Sequence, residues 1–204
     1  SYSSGRVGSA VLVGFIGYTF GEVKNITLAD DCSVRVKIIS SSQGMIGTVS
    51  GAFEGPSMDN CHSQASIEVN HAGYAESFIG GLLGFDGSYK PIYNSSSSGR
   101  IVAKSDHATI WVSGLAGVNA RIINCYHVGD ISGTGPDVHV GGICASYSNQ
   151  TNVYHAGKLS ATGIEVDGNP AIVEISPLGN PTEFSLENGY YDVTCMADTT
   201  GLNI

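Results

Sequence analysis

Positive charge is what this chain has least of. Nine Lys and Arg stand against 18 Asp and Glu, a formal net charge of −9. A nucleic-acid backbone or an anionic membrane surface would be repelled rather than recruited, so neither is expected among its partners. Charged residues of both signs make up only 13% of the chain, about half the share of a typical soluble domain. Ser, Thr, Asn and the 28 Gly must therefore cover much of the surface. Long apolar runs are missing too. The longest, around Ala10 to Phe20, is broken by Gly14 and Gly17, well short of the roughly 18 residues that span a bilayer, so membrane insertion is not expected. A signal peptide with a charged start and an apolar centre is absent.

Several catalytic signatures are also lacking. Neither His-Glu-x-x-His, Gly-x-Ser-x-Gly nor a phosphate-binding glycine loop occurs, which removes the commonest zinc-peptidase, serine-hydrolase and nucleotide chemistries. The five cysteines, Cys32, Cys61, Cys125, Cys144 and Cys195, are odd in number and without Cys-x-x-Cys spacing. They read as buried thiols.

What the chain does have is a repeat. An apolar strand with a glycine pair recurs at Val11 to Tyr18, Gln43 to Val49, Phe78 to Phe85, Trp111 to Val118 and Val138 to Ser146. Taking Gly14, Gly44, Gly81, Gly114 and Gly142 as anchors, the spacing is 30, 37, 33 and 28 residues. After each anchor comes an Asn followed by a small or aliphatic residue, at Asn25, Asn60, Asn94, Asn124 and Asn152, and then a third short strand. Units four and five match closely, NCYHVGDISG against NVYHAGKLSA, and the extra residues of other units fall in loops. Such a unit cannot bury its apolar faces alone, whereas parallel coils about 4.8 Å apart make a continuous interior.

Stacked coils turn equivalent positions into columns. The five asparagines are expected to form a ladder in which each amide bonds the coils above and below and relieves bend backbone groups. Arg100, Asp130 and Lys158 share a repeat position, and Arg35 with Glu68 extends them into one row of alternating sign, a ladder of opposite charges. His127 and His155 also coincide, as do Tyr126 and Tyr154 beside them. A shared metal is conceivable there, but the matching tyrosines favour a structural column. Asp30-Asp31 and the stretch from Glu165 to Gly168 offer oxygen donors for Ca2+ without the full calcium-loop pattern. No metal or other cofactor is expected, and no clustered acids of the kind a glycan-cleaving enzyme needs are visible. Three Asn-x-Ser/Thr sequons, at Asn25, Asn94 and Asn149, carry little weight because two fall in the Asn column. Tyr89 and Tyr93, in the longest insertion (Phe85 to Tyr93), are the candidate binding residues, since loops leaving a solenoid commonly carry its contacts.

From Thr162 the pattern decays. Pro170, Pro177 and Pro181 arrive together, and residues 171–180 resemble an anchor strand whose glycine pair has become Ser176-Pro177. This segment reads as a degenerate coil that caps the stack. The opening YSSGRV reads like SSSGRI at Ser96 to Ile101, as in a piece of a longer polypeptide or a mature product.

The succession Gly-Leu-x-Gly, Ile-x-Asn-Cys-Tyr, Gly-x-Ile-x-Gly is similar to the GLUG repeats of bacterial secreted and surface proteins. The resemblance covers roughly Val11 to Ala161, is closest in Trp111 to Gly133, and weakens in the first two units, where the doubled glycine is missing. It implies an extracellular or cell-surface bacterial protein of adhesin type, with no catalytic residue to carry over.

The expectation is thus one all-β domain, a right-handed parallel β-helix. Residues 1–10 form a partial first coil, 11–161 five three-strand coils and 162–204 the cap. Its expected role is non-enzymatic, an adhesin-type binding surface or a rigid spacer. Its partners would be a host protein, a glycan or neighbouring copies of itself. The alternatives are a carbohydrate-active β-helix enzyme, a polysaccharide lyase or hydrolase, and a self-assembling filament subunit.

Overall fold

The structure is a computed structural model that describes residues 10–179 and 185–195. Most of the expected partial first coil, Pro181, residues 196–204 and the side chain of Cys195 lie outside what it describes. The structure is nearly all-β, 62% strand, without an α-helix among the described residues, and the named strands pair in parallel as a β-solenoid of about five turns. Three sheets run along it. The first holds Ala10–Val13, Gln43–Gly47, Ser77–Gly80, Thr109–Ser113, Asp137–Gly141 and Ile172–Ser176. The third holds Ser33–Ile38, Ser66–His71, Ile101–Ser105, Ile131–Gly135 and Leu159–Gly163. The middle sheet joins them. It is split into short pieces in the first three coils but continuous at Ala116–His127 and Cys144–His155.

Register follows from alternation, because a one-residue slip would turn every inward side chain outward. Val13, Ile46, Ile79, Val112, Val140 and Ile175 make one inward column. Facing it across the interior are Val34, Ile67, Ile101, Ile131 and Leu159 of the third sheet. A second cluster, including Phe53, Met58, Leu82, Ile92, Leu115, Ile122 and Ile143, fills the space under the middle sheet. Each fully buried side chain of this size contributes about 1.5–3 kcal/mol.

This register corrects the glycine anchors. Gly81, Gly114 and Gly142 are equivalent, each donating its backbone N–H to a carbonyl of the next coil. Gly14 belongs one position earlier, with Gly47 and Gly80, and Gly44 pairs with Val11 and Ser77. Aligning Gly44 with Gly14 would shift the second coil by three residues, an odd number, and expose its apolar face.

A second glycine column has a different job. Gly17, Gly51, Gly84 and Gly117 are equivalent, and Ala145 follows them in the fifth coil. A methyl group on Gly51 would lie 2.7 Å from the Val13 backbone N, and one on Gly117 would lie 2.9 Å from that of Ile79. The absent side chains let the middle sheet approach the backbone of the first, so the outer surface folds inward there as a trough.

Candidate functional site

The trough is built by alternation. Ile110 and Val112 point inward and so do Val138 and Val140, which forces Trp111 and His139 outward. The same column runs Leu12, Met45, Phe78, Trp111, His139, Glu174. Across the bend stand Tyr18, Ala52, Phe85 and Val118 of the middle sheet. The two columns pack into a small apolar cluster outside the coils, with Phe78 and Phe85 ring centroids 5.4 Å apart.

Toward the later coils the trough becomes polar. Trp111 lies flat on His139, centroids 3.8 Å apart and planes 9° from parallel. His139 Nδ1 is 2.8 Å from Glu174 Oε2, and Nε2 is 3.0 Å from Asp137 Oδ1. Asp137 Oδ2 accepts from Thr109 Oγ1 at 2.7 Å, and Trp111 Nε1 donates to Glu76 Oε2 at 3.2 Å. Carboxylate oxygens only accept; of the two flanks Nδ1 to Glu174 is a hydrogen bond, while buried Asp137 Oδ1 has no hydrogen-bond partner among the described residues. Along the sequence these acids are scattered and form no group. The coil period brings these together from strands 35 residues apart. Strict alternation, Ile-Trp-Val and Val-His-Val, was the signal that could have placed Trp111 and His139 on one outer row.

Each residue singled out from the sequence has a definite place. Asn25, Asn60, Asn94, Asn124 and Asn152 stand at the same bend, all left-handed with φ from 47° to 57°, and Asn188 continues them at 54°. Amide bonds run Asn60 to Asn25 (2.7 Å), Asn124 to Asn94 (3.3 Å), Asn152 to Asn124 (2.8 Å) and Asn188 to Asn152 (2.9 Å). One rung differs: Asn94 donates to Asp59 Oδ1 at 3.0 Å, while Asn60 Oδ1 faces His62 Nε2.

The charged row is corrected. Arg35 and Glu68 share a column with Val102, whereas Arg100, Asp130 and Lys158 share one with Ser66, two residues away along the strand. Arg35 meets Glu68 at 3.7 Å between exposed side chains. No side-chain ion pair joins Arg100, Asp130 and Lys158; Asp130 Oδ1 instead accepts from the Lys158 backbone N at 2.9 Å. Long exposed side chains gain too little from pairing in water to be held in line. Tyr89 sits in its loop at positive φ and is 37% exposed, and its partial burial pushes the phenol up. Tyr93 is on a separate strand, half-buried and in register with Asp59 and Ile123.

His127 and His155 are buried, with rings parallel at 5.3 Å and Nδ1 atoms 3.3 Å apart. His155 Nε2 reaches the Gly157 carbonyl at 3.0 Å. That bond makes His155 Nδ1 the acceptor and His127 Nδ1 the donor, leaving His127 Nε2 as an unpaired buried acceptor. Burial, and then the charge of His155, push His127 down to about 3. Gly114 and Gly142 make room for these rings, since a methyl on either would strike the imidazole beside it. Cys61, Cys125 and Cys144 are buried free thiols, but Cys32 is exposed. Burial pushes Cys125 up to about 12 and Cys144 up to about 11. Among the described residues no group of three or more His, Cys, Asp or Glu has the geometry to hold a metal ion.

The middle sheet carries one more outer row. Tyr126, Tyr154 and Tyr190 are in register on three successive coils and are 46%, 40% and 64% exposed. Each of the three stands two residues after a bend asparagine, Asn124, Asn152 and Asn188, so the row follows from the repeat once Asn188 is taken as its continuation.

Comparison with protein-family models, curated proteins and solved structures finds no match. The resemblance to GLUG repeats rests on the residues themselves.

Proposed function

We propose that the chain is a non-enzymatic extracellular module of a bacterial surface protein, a stiff solenoid that presents a binding surface to a host protein or glycan. The tyrosine row carries this reading. Three large rings with polar tips, aligned at strand spacing and exposed on a rigid sheet, are suited to holding an apolar ligand face while bonding its polar edge. The test is retention of the protein on a panel of immobilised glycans and host surface proteins, compared with Tyr126→Ala/Tyr154→Ala/Tyr190→Ala. The reading expects a retained ligand whose affinity drops about tenfold or more in the variant. Equal binding of every retained ligand by both proteins, or retention of none, would overturn it.

A second reading, a glycan-cleaving enzyme, draws on the Asp137, His139 and Glu174 grouping beside Trp111. It expects depolymerisation of some glycan and its loss in Asp137→Asn/Glu174→Gln. Against it, Glu174 is already hydrogen-bonded to His139 and Asp137 to Thr109, and one face of Trp111 is covered by the imidazole.

A further inference from the structure

The chain's scarce positive charge is concentrated on one surface. On the outer face of the third sheet and the residues leading into it stand Arg35, Lys37, Arg100, Lys104 and Lys158, five of the nine Lys and Arg. Only two of the 18 acids, Glu68 and Asp130, share that face. The face has a formal excess of three positive charges. The rest of the chain, four cations against 16 acids, carries −12. Asp31 and Asp106 border it in the adjoining loops.

Two of the groups are partly occupied. Arg35 leans toward Glu68, and Asp130 holds the Lys158 backbone. Lys37, Arg100, Lys104 and Lys158 make no ion pair with any described residue. Lys37 and Lys104 share one column, separated by Asn70, so they lie two coils apart, about 9.6 Å by strand spacing. In the later coils the outward positions are hydroxyls, Ser132, Thr134, Ser160 and Thr162. No aromatic residue occupies any outward position of this sheet.

We infer that this face is a docking surface for an acidic polysaccharide, a uronate chain laid across the coils with carboxylates on the lysines and arginines and sugar hydroxyls on the Ser and Thr rows. The inference rests on the reading of the chain as a binding module and names a ligand class for a second face. Charge complementarity favours an anionic polymer, and the surrounding −12 orients that polymer onto this face alone. A multiply sulfated chain would meet Glu68 and Asp130 with more negative charge, and the bases of a nucleic acid would find no ring to stack on.

The test measures binding of polygalacturonate, neutral dextran, sulfated dextran and a single-stranded oligothymidylate to the full chain at low and physiological salt. Polygalacturonate should bind, most tightly at low salt, with dextran silent and the other two weaker. Lys37→Glu/Lys104→Glu should weaken polygalacturonate binding about tenfold or more, while Lys24→Glu/Arg121→Glu, the same charge change on the middle sheet, shifts it by about twofold or less. If the first pair does not fold, Lys37→Ser/Lys104→Ser replaces it. Equal loss in both pairs, tighter binding of sulfated dextran or oligothymidylate, or no polygalacturonate binding overturns the inference. The tyrosine variant should still bind polygalacturonate; its loss there would also overturn the assignment to this face. Shortening of the polygalacturonate during the assay would instead refute the non-enzymatic reading, and the comparison of the two pairs would still test the face.

Discussion

At the residue scale, the asparagine at each bend does two jobs. It accepts left-handed φ, which costs most residues roughly 1–2 kcal/mol, and it bonds its neighbour in the next coil, worth about 0.5–1.5 kcal/mol per bond. Asn124→Ala loses both and should cost about 2–3 kcal/mol, whereas Asn124→Gly loses only the bonds and should cost about half as much. Urea midpoints of the two variants check this; equal losses would mean that the backbone conformation contributes nothing. The ladder was legible in the sequence because Asn at this spacing has little else to do there. The charged row was not, because Arg35 and Glu68 belong two residues away from where loop lengths suggested, and exposed charges leave no apolar signal to fix register.

Buried titratable groups make stability depend on pH in two opposing ways. Burial pushes Asp86 up to about 6, against the pull of Ser88. The folded state then holds a proton that the unfolded chain, near 3.8, has lost. Between these values its contribution falls as pH rises, by at most about 3 kcal/mol. Burial lowers His71, His127 and His155. For them the unfolded chain takes up protons first. Their contribution is whole above about 6.5 and is lost as pH falls from there, by about 1.4 kcal/mol per pH unit per group. Asp86→Asn should therefore be more stable than the wild type at pH 7 and show a steeper loss between pH 6 and 4, read from denaturant melts across pH. An unchanged stability at pH 7 would show that the Asp86 carboxylate is satisfied in the fold.

At the element scale, the trough depends on how closely two sheets approach. Gly117→Ala would press a methyl on the backbone of the first sheet and on the Gly84 carbonyl and should cost about 1–3 kcal/mol. The equivalent Gly17→Ala meets nothing closer than 3.7 Å, so it should be neutral or stabilise by about 0.4–1 kcal/mol. Thermal midpoints of the two variants decide it, and a similar loss in both would sink the close-approach account. The glycines themselves were legible as a repeat. Their two separate columns were not, since a glycine-rich strand carries too few side chains to fix its register, and the trough they create came into view only with the coils stacked. Trp111, His139 and Glu174 remained hidden for the same reason: each touches the next from a coil away in space, 28 and 35 residues away in sequence.

At the scale of the whole molecule, each coil is supported mainly by its neighbours. Strand residues of the second and third coils are buried in the first sheet, while Ala10–Val13 is only partly covered and Ile172–Ser176 mostly exposed. Amide exchange should be slowest in the third and fourth coils and fastest in the first and sixth, with intermediate protection in the second and in the fifth, whose strand Leu159–Gly163 is a sheet edge. Uniform protection along the stack would mean that it opens as a single unit. The solenoid itself was legible because repetition multiplies a weak local pattern into a strong one.

The asparagine ladder gives the stack an arrow. Every rung donates from the later coil to the earlier one, including the detour from Asn94 to Asp59. A coil placed beyond Asn188 would have to arrive with its amide N–H groups leading, and one placed before Asn25 with its carbonyl leading. Two copies brought together by the same end would set donor against donor or acceptor against acceptor. Growth of such a stack is therefore vectorial, and its two ends are chemically different surfaces.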